Sequence, residues 1–293
     1  MHGILAPAAV PILFVLLWST GFIGARLGLP HAEPLTFLCL RYIAVIAVML
    51  PLALAAGARW PAHWREARRI AAAGALIQGG YLGGVFGAIH LGVPAGVAAL
   101  IVGLQPMLTA MAAGPWLGEH LHRRQWLGLV LGLAGVALVV WQKMTLQGLS
   151  AAGLMLARAN AASITLGMLY QKRCCPAFDA RSGAVIQFGA ALALTLPLAM
   201  ATETMIVSWT ADFLIALGWL VLVLSAGATS LLFRLIERGE ATRVTSLFYL
   251  TPAVTAVMAW PMFGEVLGAP AIAGMALALI GVALVNRNPA PLR

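Results

Sequence analysis

Gln78 and Tyr81 stand three residues apart inside an otherwise small and apolar run, Gln78-Gly79-Gly80-Tyr81-Leu82-Gly83-Gly84-Val85-Phe86-Gly87. On a helix that spacing puts both on one face. An amide beside a phenol offers hydrogen bonds and stacking area to a zwitterionic or aromatic solute, or equally hydrogen bonds to a neighbouring helix. Ser246 and Tyr249 repeat the spacing just before Pro252, and Trp18 completes a candidate lining. Arg41 follows Pro34 by seven residues, a depth of about 10 Å at 1.5 Å per residue. It either snorkels outward or faces an outer vestibule as a gating cation, pairing with Glu33 or steering a substrate carboxylate. Arg158 permits the same two readings. Pro106 and Pro252 each remove a backbone donor and free a carbonyl four residues earlier, at Val102 and Phe248. They read as packing kinks, or more sharply as hinges or carbonyls aimed at a solute.

What is missing narrows the chemistry. There is no Gly-Lys dipeptide, hence no P-loop to run on ATP. All nine acids fall in loops or near the ends of apolar runs, which argues against a buried carboxylate exchanging protons for an organic cation and favours a neutral or zwitterionic solute. His90, His120 and His122 lack carboxylate partners at metal-ligand spacing, and Cys39, Cys174 and Cys175 form no metal or disulfide pattern. No metal, cofactor or catalytic residue is therefore expected, and the chain is not expected to be an enzyme. A membrane-embedded enzyme is the rival from another class.

The elements that hold these residues must be membrane helices. Hydrophobic residues make up 62% of the 293 and charged residues 9%, against about 25% in soluble proteins. The apolar runs give ten spans of bilayer length, at 7–23, 34–56, 70–91, 95–117, 125–141, 151–170, 182–201, 213–236, 244–263 and 270–285. Residues 1–6 carry no basic leader and no cleavage site follows, so the first run is expected to stay as a span. The net charge of +9 is spread between spans rather than gathered on one face, so nucleic acid is not an expected partner. Lys and Arg cluster after spans two (Arg59, Arg65, Arg68, Arg69), four (Arg123, Arg124) and six (Lys172, Arg173, Arg181). More surround the loop after span eight and occupy the tail, whereas the opposite side has only Arg26 and Lys143. Both termini are expected in the cytoplasm.

An internal repeat runs at an offset of 146 residues. Pro106, Pro115, Gly118, Glu119, Gly128 and Gly135 recur as Pro252, Pro261, Gly264, Glu265, Gly274 and Gly281, and 17 of 36 positions from Leu104 to Val139 are identical without a gap. The chain thus divides into 1–146 and 147–293, each with five spans. Five is odd, so the second unit must be inverted, an arrangement that recurs in secondary transporters. Small residues at 225–230 answer the glycines of 78–87, as a shared packing seam or a cavity wall. Glu119 and Glu265 read as structural caps or interface anchors.

The motif Leu17-Trp18-Ser19-Thr20-Gly21-Phe22, with Pro34-Leu35-Thr36-Phe37 and Arg41-Tyr42, resembles the opening of the EamA-type repeat. Pro252, Gly264-Glu265 and Gly281-Val282-Ala283-Leu284 resemble the close of its second copy. The resemblance, to the drug/metabolite transporter superfamily and within it the bacterial aromatic amino-acid exporter branch, covers nearly the whole chain. It implies an all-α membrane protein, ten helices in two inverted five-helix repeats around a central cavity. It further implies export of amino acids, aromatic or other neutral ones, or related metabolites across the bacterial inner membrane by alternating access. The alternative is another small metabolite or drug on the same fold. A small-molecule substrate and membrane lipids are the expected partners, with a monomer as the working expectation. The second copy departs from the first at Gln187, which answers Arg41, and at Ile164, which answers Trp18.

Overall fold

A bilayer offers no water to backbone amides, so a chain this apolar must satisfy them within helices. The computed structural model describes residues 9–91, 101–141, 151–175, 177–239, 241–264 and 267–287. They form ten helices: α1 (Ala9–Gly28), α2 (Pro34–Ala55), α3 (Trp64–Ala88), α4 (Gln105–Leu117), α5 (Arg123–Val140), α6 (Ala151–Cys174), α7 (Ala180–Thr202), α8 (Ala211–Glu237), α9 (Ala241–Phe263) and α10 (Ala269–Asn286). Nine of these are long and apolar enough to cross a membrane among the described residues. α4 is the described part of the span expected at 95–117, whose residues 95–100, like Lys143, Glu265 and the two chain ends, lie outside the described residues. α3 starts earlier than its apolar run and α6 ends later. Their extra turns carry Arg65, Arg68 and Arg69, or Lys172 and Arg173, which a hydropathy reading discards although the helix continues into the interface.

The repeat is visible in the irregularities. α3 widens to π-helix over Ala75–Gly80, and α8 does so over Leu220–Ala228, one repeat offset later. A turn at Gly103-Leu104 precedes α4 and Pro106, while α9 tightens to 3-10 geometry over Leu247–Tyr249 before Pro252. Both prolines therefore follow a break in helical geometry, as their missing donors require. Gly118 and Gly264 end α4 and α9 in the left-handed region, at φ 71° and 66°. A side chain disfavours that conformation, which accounts for glycine at both sites.

The two repeats interleave rather than sit side by side. α5 packs on α10, and α2 on α7, so each of these helices contacts its own counterpart. α1 packs on α8 and α9, while α6 packs on α3 and α4. Glycines set the α5–α10 distance: a Cβ at Gly128 would fall 2.6 Å from the Gly281 carbonyl oxygen, and one at Gly135 would fall 2.6 Å from that of Gly274. The sequence pairs Gly128 with Gly274 and Gly135 with Gly281; the fold crosses them, as an inverted pair meeting on a pseudo-twofold axis must.

Candidate functional site

Polar side chains at the helix ends hold the α1–α2 and α2–α3 faces differently. At the α1–α2 face, Glu203 accepts hydrogen bonds from the Leu35 and Thr36 amides and the Thr36 hydroxyl, each at 2.7 Å, and so caps α2. Glu33 reciprocates, accepting from the Thr204 amide (2.7 Å), its hydroxyl (2.6 Å) and the Met205 amide (3.1 Å). Among the described residues Met205 is the non-glycine residue with left-handed backbone, φ 57°, and its amide donates to Glu33 there. A cavity of about 600 Å³ opens beside this pair, lined among others by His31, Glu33, Phe86 and Thr204.

At the opposite face Glu119 caps α9. It accepts from the Ala241 amide at 2.6 Å and from the Thr242 amide and hydroxyl at 3.3 and 3.2 Å. Lys172 lies 3.7 Å from the same carboxylate and donates to the Gly239 carbonyl, and Arg173 donates to the Trp116 carbonyl at 2.9 Å. These contacts tie the ends of α4 and α6 to the start of α9. The anchor reading of Glu119 is thus realised in the fold.

Arg41 departs from the snorkelling expectation and from the expected pairing with Glu33. It neither snorkels nor pairs with Glu33: it is 4% exposed and its Nε donates to Ser225 Oγ on α8 at 3.1 Å. Glu33 Oε2 instead accepts from the 204–205 backbone, and Ser225, which takes the Arg41 Nε, sits in the widened turn of α8. Among the described residues no carboxylate lies at ion-pair distance from Arg41. Arg158, in contrast, is exposed on the bundle surface, as snorkelling requires.

Gln78 lies in the π segment of α3, and its side-chain nitrogen is buried without a partner; the Tyr42 hydroxyl donates to the Gln78 backbone carbonyl at 2.6 Å. Tyr81 is buried one turn on, in the same apolar cluster as Trp18 and Tyr249. Trp18, 8% exposed, packs at 5.3 Å from Phe14 and edge-on to Phe248 at 5.4 Å, which closes an aromatic triangle between α1 and α9. The Tyr249 ring is wedged against Gly132 of α5, with its hydroxyl unpartnered. Ser246 stands apart from this group: it donates to the Arg243 carbonyl at 2.7 Å and accepts from Asn286 of α10 at 3.0 Å.

Sequence reasoning passed over several buried amides. Gln105 donates to Met168 Sδ at 3.0 Å while its oxygen is unpartnered, Gln187 donates to Gln171 at 2.8 Å, and Asn160 is fully buried with neither amide atom paired. The signal was present in their type, since uncharged amides inside apolar runs are as foreign to lipid as Gln78 is. Among the described residues no cluster of three or more metal-ligating side chains occurs. Burial, with Cys174 beside it, pushes the Cys175 thiol up to about 12.

Two stretches, 7–141 and 151–287, match the EamA-like transporter family. A probable amino-acid metabolite efflux pump of Salmonella typhimurium is 27% identical over 92% of this chain and 91% of its own. A probable terminal-alkyne amino-acid exporter of Streptantibioticus cattleyicolor is 28% identical over 94% and 92%. The inner membrane transporter YedA of Escherichia coli is 26% identical over 92% and 86%. A solved crystal structure covering 95% of both chains superposes with a TM-score of 0.79 at 22% identity, which speaks for the fold alone. Repeat, helix count and full-length similarity agree: this multi-pass membrane protein belongs to the EamA-like transporter family.

Proposed function

We propose that the chain is an inner-membrane secondary exporter of amino acids or related metabolites, neutral and aromatic ones foremost. The halves 1–146 and 147–293 rock about the seam between them, with both termini in the cytoplasm and Pro106 and Pro252 as hinges. The observation that carries the substrate class is Arg41. A cation inside a span costs about 2.5–3.5 kcal/mol at the helix centre on insertion scales and less nearer the interface, and no acid among the described residues lies at ion-pair distance to offset it. A carboxylate arriving with the solute would do so. The Phe14–Trp18–Phe248 triangle, tilted and edge-on, supports an aromatic or large apolar side chain, because aromatic rings offer area and edge-to-face contacts. The names of the Salmonella and Streptantibioticus relatives point to the same class.

Membership of a transporter family weighs against the enzyme reading. The test is flux of radiolabelled amino acids in liposomes that hold the purified protein, with and without a pH gradient. Movement of phenylalanine or another neutral amino acid is expected. Silence across a broad amino-acid panel, alongside flux of a solute that lacks a carboxylate, would refute the assignment. Flux that ignores the gradient would identify facilitation rather than proton coupling.

A further inference from the structure

Asn160 lies ten residues into α6, about 14 Å from the helix start. It is 0% exposed, and neither its amide nitrogen nor its oxygen has a hydrogen-bond partner. A Cβ at Gly84 would fall 2.5 Å from Asn160 Cβ, and Gly80 and Gly87 let α3 approach Ser163 and Leu156 on either side. This seam pins α6 against α3. One turn before Gly84 stands Tyr81, and three residues before that stands Gln78, whose amide nitrogen is also unpartnered.

The fold itself does not ask for an amide here. One repeat offset away the equivalent residue is Phe14, fully buried and ring-packed against Trp18 and Phe248. An apolar side chain thus serves the architecture in the other half, and it would spare α6 two buried polar atoms without partners. Unpaired buried polar groups are destabilising, so their retention points to a partner that comes and goes. An amide with donor and acceptor both free suits a solute that presents both. Since no acid lies near a span centre, a positively charged group on the solute must be received by neutral oxygens.

We propose that Asn160 is the specificity residue for the solute's α-amino group, its side-chain oxygen accepting from the ammonium while Arg41 answers the carboxylate. This rests on the reading of the chain as an amino-acid exporter. The experiment uses the full chain in liposomes and radiolabelled phenylalanine. Its competitors are unlabelled phenylalanine and 3-phenylpropionate, which keeps the ring and the carboxylate but has no ammonium. The wild-type protein is expected to prefer phenylalanine by about ten-fold or more, the worth of one charge-assisted hydrogen bond. Asn160→Leu is expected to abolish that preference by weakening phenylalanine alone, with 3-phenylpropionate unchanged. Asn160→Asp, which keeps the acceptor and adds charge, is expected to sharpen it, and its result stands by itself should the leucine variant not fold.

A leucine variant that melts higher and keeps the wild-type ratio would overturn the proposal, because the amide would then be a frustrated core residue or a seat for water. An Asn160→Asp variant that leaves the preference unchanged or lower would overturn it equally. If the wild-type protein carries no amino acid at all, the exporter assignment fails and takes this inference with it. Transport with an unaltered ratio removes Asn160 only.

Discussion

Arg41 concentrates the residue-scale chemistry because its one hydrogen bond, to Ser225 Oγ, uses the Nε edge and leaves the two terminal nitrogens for a planar bidentate partner. Arg41→Gln is expected to raise the KM for phenylalanine at least about ten-fold, as loss of a charge-assisted pair does. Transport of phenylalaninamide, which has no carboxylate, is expected to stay within two-fold of wild type, a threshold of about 0.4 kcal/mol. Arg41→Lys restores charge without the fork and should recover only part of the loss. Parallel KM measurements on the two substrates decide it, since a variant that merely loosened the fold would depress both. The depth of Arg41 was legible in its distance from Pro34; its direction was not. Spacing within one helix tells which residues share a face, whereas Ser225 lies 184 residues away on a turn whose π geometry rotates it toward α2. Glu33 misled for the same reason, being near in sequence but bound to residues 171 and 172 positions away.

At the scale of helices, α5 and α10 are joined backbone to backbone. Four glycines bring carbonyls within reach of the facing chain, so these four positions admit no side chain. Gly128→Leu is expected to cost about 3 kcal/mol or more, since overpacking against backbone cannot be relieved by a rotamer change. Gly189→Leu on α7, where a Cβ would meet nothing within 4 Å, is expected to leave stability almost unchanged. Melting temperatures of the two variants in detergent separate these outcomes, and similar values would mean that α5 and α10 are not closely joined. The spacing of these glycines and their recurrence in both halves were plain in the sequence, as was the pairing of Pro106 with Pro252. The interleaving was not. Helices facing lipid and helices facing protein are both apolar, so periodicity carries little information about which neighbour each one meets. The π segments of α3 and α8 were equally hidden, because an extra residue per turn leaves no mark on composition.

For the molecule as a whole, parity does most of the work. Five helices per repeat oblige equivalent loop positions to lie on opposite sides of the membrane, and this property gives a rocking transporter two near-mirror states from one fold. Ala62, in the α2–α3 connection, and Ser208, in the α7–α8 connection, are one repeat offset apart, and both are exposed. The first is flanked by Arg59, Arg65, Arg68 and Arg69, while the stretch around Ser208 has no basic residue. Translocating that basic cluster would be unfavourable, so the α2–α3 connection is expected in the cytoplasm and the α7–α8 connection outside. In a chain whose Cys39, Cys174 and Cys175 are replaced by serine, Ser208→Cys is expected to react with a membrane-impermeant thiol reagent applied to intact cells. Ala62→Cys is expected to react only after the membrane is opened. Labelling of Ala62→Cys alone from outside would reverse the orientation but keep the inversion. If both labelled from one side, the odd helix count would be wrong. The α5–α10 glycine crossing could not then be a twofold contact, and the halves would have no means of exchanging roles across the bilayer.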